Sequence, residues 1–243
     1  MGFFEDLGNR RWKREGEGKP APASGRERFF FLLLTHFWKL IILNLLFILF
    51  SLPVITLPAA LCAMNRVLIK LVREGNCLLW MEFRDEFKRS FLKSLPPGLI
   101  FGAMLALCYY LFSMSISYGE SLYGVIFYSL GFTLLIITAV LGTWTFVLMA
   151  MLSLSVREIL TNARALTFME WKRDLAIIGI NAAALLIETL LFPFSLPVIA
   201  LLLFSLAQYA ICFTLNTAVQ MRIIEPYEDL EARDRETNHH LPD

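Results

Sequence analysis

Glu188 is the only acidic residue between Leu175 and Met221, and a carboxylate in so apolar a stretch could hold an ion or relay a proton. It also lies within about a turn of an expected outer membrane boundary, where it could simply reach water, and both readings stand. Asn44, Asn65, Asn181, Gln208 and Asn216 are amides in apolar runs that can hydrogen-bond between helices, and Arg66 beside Asn65 adds a cation that can snorkel along Lys70 and Arg73. Together Asn44, Asn65, Arg66, Asn181 and Glu188 are the polar set from which an intramembrane solute cavity could be built. A second group is outside the apolar runs: Phe83, Phe87 and Phe91 recur every four residues, with Arg84, Lys88 and Arg89 on the other side of the same helix. That segment reads either as a helix lying in the membrane interface or as a docking surface for a partner. Trp171 belongs to a second segment of the same kind in the second connector, Met169-Glu170-Trp171-Lys172-Arg173-Asp174-Leu175.

Enzyme chemistry is not expected. The chain lacks GxSxG, HExxH, GxxxxGK[ST] and the dinucleotide-binding glycine pattern, and its sparse polar residues supply no acid, base and nucleophile trio. Cys62, Cys77, Cys108 and Cys212 share no CxxC spacing and read as core thiols, so neither a metal nor another cofactor is expected. A net charge of +1 also removes the case for nucleic-acid binding.

The elements that must position these residues follow from hydropathy. The chain is 57% hydrophobic and 18% charged, with a mean hydropathy of +0.62, which places it among integral membrane proteins. Its 33 residues from Phe29 to Leu61 are too long for one straight crossing of a ~30 Å hydrocarbon core, and Pro53 and Pro58 supply a break. The pattern predicts an all-α, polytopic bundle of six transmembrane helices, at about 36–53, 58–71, 97–113, 125–151, 175–192 and 197–217. They form three hairpins joined by amphipathic cytoplasmic helices. The fourth helix, longer than a bilayer needs, is expected to continue inward to Arg157 and Glu158. Residues 1–28 read as a disordered arm, Phe29 to Leu34 as interfacial, 29–222 as the membrane domain and 223–243 as a solvated acidic tail.

Charge placement agrees with this layout. Seven Lys/Arg precede Phe29, and the rest cluster at the inner ends, in the two long connectors and in the tail. The expected outer turns, Ser51 to Pro58, Ser113 to Gly124 and Phe192 to Pro197, contain none. Both termini are therefore expected in the cytoplasm. The hexapeptide Phe50-Ser51-Leu52-Pro53-Val54-Ile55 recurs as Phe194-Ser195-Leu196-Pro197-Val198-Ile199, which reads as shared turn geometry, because the two connectors repeat at a different offset. Gly98 and Gly102 form a weak GxxxG close-packing signal.

His36-Phe37-Trp38-Lys39-Leu40 through Asn44, Ser51-Leu52-Pro53-Val54-Ile55-Thr56-Leu57-Pro58-Ala59-Ala60, Val72-Arg73-Glu74-Gly75 and the Phe83/Phe87/Phe91 connector resemble the YesL-like family of bacterial membrane proteins, a domain of unknown function. Asn162-Ala163 is similar to that family's Asn-Ala pair, whereas Leu57-Pro58 departs from its frequent Gly-Pro. The resemblance covers about residues 29–222. It implies a multi-pass protein of the cell membrane, encoded in many members beside carbohydrate ABC transporters and glycan-degrading enzymes. The expected function is thus an accessory or scaffold partner of a carbohydrate ABC-type uptake system, with the bilayer, sugar-transporter subunits and further copies of the chain as partners. The alternative is an independent carrier of a small solute or ion.

Overall fold

The computed structural model describes residues 25–190 and 202–225. Eight α-helices account for nearly all of them: α1 (Gly25–Thr35), α2 (Phe37–Ser51), α3 (Leu57–Glu74), α4 (Leu79–Tyr118), α5 (Leu122–Met151), α6 (Val156–Met169), α7 (Trp171–Leu190) and α8 (Phe204–Val219). A short 3₁₀ turn, Val54–Thr56, precedes α3, and α8 widens into a π-turn at Gln220–Ile224. Most of the expected N-terminal arm, the Phe192–Pro197 turn and the acidic tail lie outside the described residues. The chain divides into two units, Met1–Phe37 and Trp38–Asp243. In the first, α1 begins at Gly25, so the last residues of the expected arm are helical and the Phe29–Leu34 run is the body of that helix.

The helix ends have local causes. Pro53 stops α2, and its carbonyl accepts from both the backbone N–H (2.9 Å) and the hydroxyl (2.6 Å) of Thr56. Pro58 then sits in the first turn of α3, where a missing N–H costs nothing. Gly75, at φ +74°, closes α3 in the left-handed conformation, its N–H bonded to Leu71 O at 3.0 Å. Between α4 and α5 only Gly119–Ser121 remain outside the helices, a tighter turn than Ser113–Gly124. There the Ser121 hydroxyl accepts from the Gly124 N–H at 3.3 Å.

The largest difference from expectation is α4. The amphipathic segment around Phe83–Phe91 and the third expected span are one helix of 40 residues, about 60 Å long at 1.5 Å per residue. Pro96 and Pro97 lie inside it. They free the carbonyls of Leu92 and Lys93, but packing holds both flanks, and proline then bends a helix without ending it. A second difference follows α5. Its helix stops at Met151, and a new one starts at Val156, because Ser155 and Glu158 form a reciprocal capping box: Ser155 N–H donates to Glu158 Oε2 at 2.9 Å and Glu158 N–H to the Ser155 hydroxyl at 3.4 Å. The amphipathic element of the second connector is therefore α6, which buries Ile159, Ala163 and Leu166, and Met169-Glu170-Trp171 is the corner into α7.

In the second unit α3 is the inner helix. It runs antiparallel to the first half of α4, with Lys70 paired to Glu82 at one end and Pro58 against Gly98 at the other. A Cβ on Gly98 would sit 2.2 Å from Pro58 Cγ, so glycine is required for this approach. α5 returns along the second half of α4, with Gly131 against Leu111 and Phe112, and Gly142 and Phe146 against Phe101. α8 lies parallel to α3, and α2 meets its start through Phe47 and Phe204, stacked at 4.6 Å.

Three helical segments are long and apolar enough to cross a membrane: Val54–Glu74, Leu79–Tyr118 and Leu122–Met151. The best windows of the last two are only 11% and 22% buried within the protein, against 61% for the first, so α4 and α5 present long apolar faces outward. α1 and α2 are each too short to pass the same test. The architecture is an all-α bundle of membrane-protein character.

Candidate functional site

The first half of α4 carries two rows of cations. Arg84 and Lys88 are four residues apart, as are Arg89 and Lys93, and at 100° per residue the two rows lie on different sides of the helix. All four are exposed. Arg84 reaches only its neighbour Asp85 (3.1 Å), whereas Arg89 pairs with Glu86 at 2.7 Å. Glu86 is buried and also accepts from the Ser90 hydroxyl, so its charge is matched on two sides.

The aromatic side of the same segment is turned inward. Phe83 is fully buried, while Phe87 and Phe91 are half-buried. Phe50, from the end of α2, packs edge-on against Phe83 at 5.4 Å and Phe87 at 5.0 Å. The phenylalanines therefore bind α4 to its own bundle, leaving the cations as the outward chemistry of this segment. Around the second connector, Asn162 is half-buried and Trp171 is exposed, with Lys172 Nζ 5.8 Å from its ring centroid. Phe168 and Met169 are exposed beside Trp171 at the α6–α7 corner, Phe168 at 86%. Sequence reasoning passed over Phe168. Its signal was present: it falls off the Ile159–Ala163–Leu166 face, where an apolar residue has no core to enter.

Four of the five intramembrane candidates are held by separate hydrogen bonds. Asn44 is buried and its Oδ1 accepts the Ser205 N–H at 3.0 Å, serving the first turn of α8. Asn65, also buried, accepts from Gln208 Nε2 at 2.6 Å and from the Cys212 thiol at 3.4 Å, leaving its own Nδ2 without a partner. Arg66 Nη1 donates to Ala150 O at 3.2 Å, among the last carbonyls of α5. Asn181 Nδ2 turns back onto Ile177 O of its own helix at 2.8 Å, and Glu188 is half-buried near the end of α7. Two further contacts were not anticipated: a buried one in which Trp144 Nε1 donates to Asp174 Oδ1 at 2.7 Å, and a part-buried one in which Arg73 Nε donates to Asn216 Oδ1 at 2.7 Å. Each joins residues too far apart in sequence to be paired without the fold. Among the described residues no cluster of His, Cys, Asp or Glu could hold a metal ion.

Residues 40–112, covering α2, α3 and most of α4, match the model of a family described as a protein of unknown function, DUF624, the class that includes the YesL-like proteins. No curated protein and no solved structure matches the chain.

Proposed function

Taking the DUF624 match over residues 40–112 as the premise, we propose that this protein is a multi-pass component of the cell membrane, with both termini cytoplasmic, that serves a carbohydrate ABC-type uptake system as a docking partner. The observation that carries the docking part is the Arg84–Lys88 row. It is exposed on the charged half of α4, ahead of the apolar half that begins near Gly98. Cations cannot face acyl chains without a cost on the order of 2.5–3.5 kcal/mol each on insertion scales. They must meet water, headgroups or acidic groups of another protein, and a cationic row beside an apolar bundle fits the last. Trp171 and Phe168 supply exposed aromatic anchors of the kind that dominate interfaces.

A multi-pass layout is part of this proposal, with the third expected crossing amended. At about 60 Å, α4 is twice the ~30 Å hydrocarbon thickness, so its apolar half from about Gly98 crosses with the facing part of α5. The carrier alternative receives less support, because Asn44, Asn65, Arg66 and Asn181 are engaged in four separate structural contacts. Its test is uptake by Glu188→Gln vesicles against wild type.

Affinity purification from native membranes in mild detergent tests the docking. Sugar-transporter subunits should co-purify at fixed stoichiometry with the wild type and be lost from Arg84→Glu/Lys88→Glu, while that variant remains inserted. Equal recovery with both proteins would reject the docking row.

A further inference from the structure

The second cation row faces a cavity. Arg89 and Lys93, with Ser90, form one wall, and the end of α5, the Leu152–Ser155 link and the start of α6 form the other. Its volume is about 80 Å³, several times the ~10–15 Å³ that a single water needs by that measure. That is room for a small group such as one tetrahedral oxyanion. The lining sorts by chemistry. Arg89, Lys93 and Ser153 offer donors, while Met149, Leu152 and Ile159 make an apolar side. Arg89 keeps Glu86 as a counter-charge, but Lys93 has no ion pair among the described residues, so the site holds an excess of positive charge. The cavity also lies where the charged half of α4 gives way to its apolar half, at Lys93 to Gly98, beside the last turn of α5.

We infer that this cavity is a binding site for a phosphate group. Guanidinium, ammonium and hydroxyl donors converging on a small volume suit a phosphate, for which Arg supplies a planar fork and Lys a compact charge. The apolar side and the position at the foot of a membrane hairpin fit the phosphodiester of a phospholipid, and inorganic phosphate would present the same chemistry. The site is independent of the docking reading, which rests on Arg84 and Lys88.

The test is native mass spectrometry of the full-length protein in detergent, titrated with phosphatidylglycerol and, separately, with inorganic phosphate. Lys93→Gln should lower the bound fraction about fivefold, the effect of one basic residue at an anionic surface, and Lys93→Arg should restore it. Arg164→Gln, an exposed cation outside the cavity, should bind as the wild type does. Retention of phosphatidylglycerol that inorganic phosphate does not displace would assign the site to a lipid headgroup. Displacement by inorganic phosphate would assign it to the free anion. Equal binding by wild type and Lys93→Gln for both probes would overturn the site, and rescue by Lys93→Arg separates a specific loss in Lys93→Gln from a folding defect.

Discussion

Cys77 lies in the short turn between α3 and α4, and burial pushes its thiol up to about 11. At neutral pH it is therefore almost wholly protonated, and the thiol, unlike the thiolate, is a poor nucleophile. Cys62, Cys108 and Cys212 are buried and free as well. Native protein should accordingly resist alkylation by a maleimide and react at four positions once unfolded, counted by intact-mass spectrometry. Rapid labelling of the native state would show that the turn opens. The core-thiol reading needed only composition and spacing, but the Asn65 contact did not. Asn65 and Gln208 are 143 positions apart, and nothing local in either sequence selects the other. A double-mutant cycle of Asn65→Ala and Gln208→Ala should show a coupling of about 0.6–2 kcal/mol, read from unfolding in mixed micelles, and a coupling near zero would remove this contact from the packing account.

At the scale of elements, stops and starts were legible where side-chain chemistry is local. Pro53, Pro58 and Gly75 mark ends that the structure has, and Ser155 with Glu158 spells a capping box that hydropathy alone ran through. The prolines at 96 and 97 misled for the opposite reason, since their local preference is overruled by packing on both sides, including the approach of Gly98 to Pro58. Gly98→Leu should therefore destabilise the protein by about 1–3 kcal/mol through overpacking. Gly102→Leu, with nothing within 4 Å of its added Cβ, should be nearly neutral, and thermal shift in detergent compares the two. The capping box carries a pH dependence. Hydrogen bonds from the Ser155 backbone and side chain hold the Glu158 carboxyl below its ordinary value. The stability it adds is present above the unfolded pKa of about 4.3 and is lost as pH falls through the lower, folded value. The protection factors of the first-turn amides of α6, exchange rates corrected for the intrinsic pH dependence, should fall on acidification from about pH 6 to 3, and Glu158→Gln should abolish that dependence while keeping the cap.

Over the whole molecule, hydropathy conveyed the class of protein and most helices, because apolar runs must be helical where a bilayer satisfies no backbone groups. It did not convey which helix lies beside which. The charged connector was expected to be a separate amphipathic helix in the membrane interface or at a partner, yet it is the first half of α4 and packs along α3, a relation that depends on Phe50, Phe83 and Phe87 meeting across the bundle. Membrane placement is testable on that helix. In proteoliposomes a membrane-impermeant maleimide should label Lys88→Cys and spare Leu105→Cys, both exposed on α4. Five of the seven tyrosines, at 109, 110, 118, 123 and 128, gather around the Gly119–Ser121 turn and are exposed, as an aromatic belt at the far interface would be.

That turn also constrains how the chain is made. With three residues between α4 and α5, the first leg has no tail long enough to settle alone on the far side while the second is still being synthesised. In the proposed crossing the two legs enter the bilayer together, as a hairpin pulled in by its apolar walls, with Lys88, Arg89 and Lys93 left at its base. Lengthening the turn with a polar insert should then slow integration during biogenesis, even where the finished bundle tolerates it.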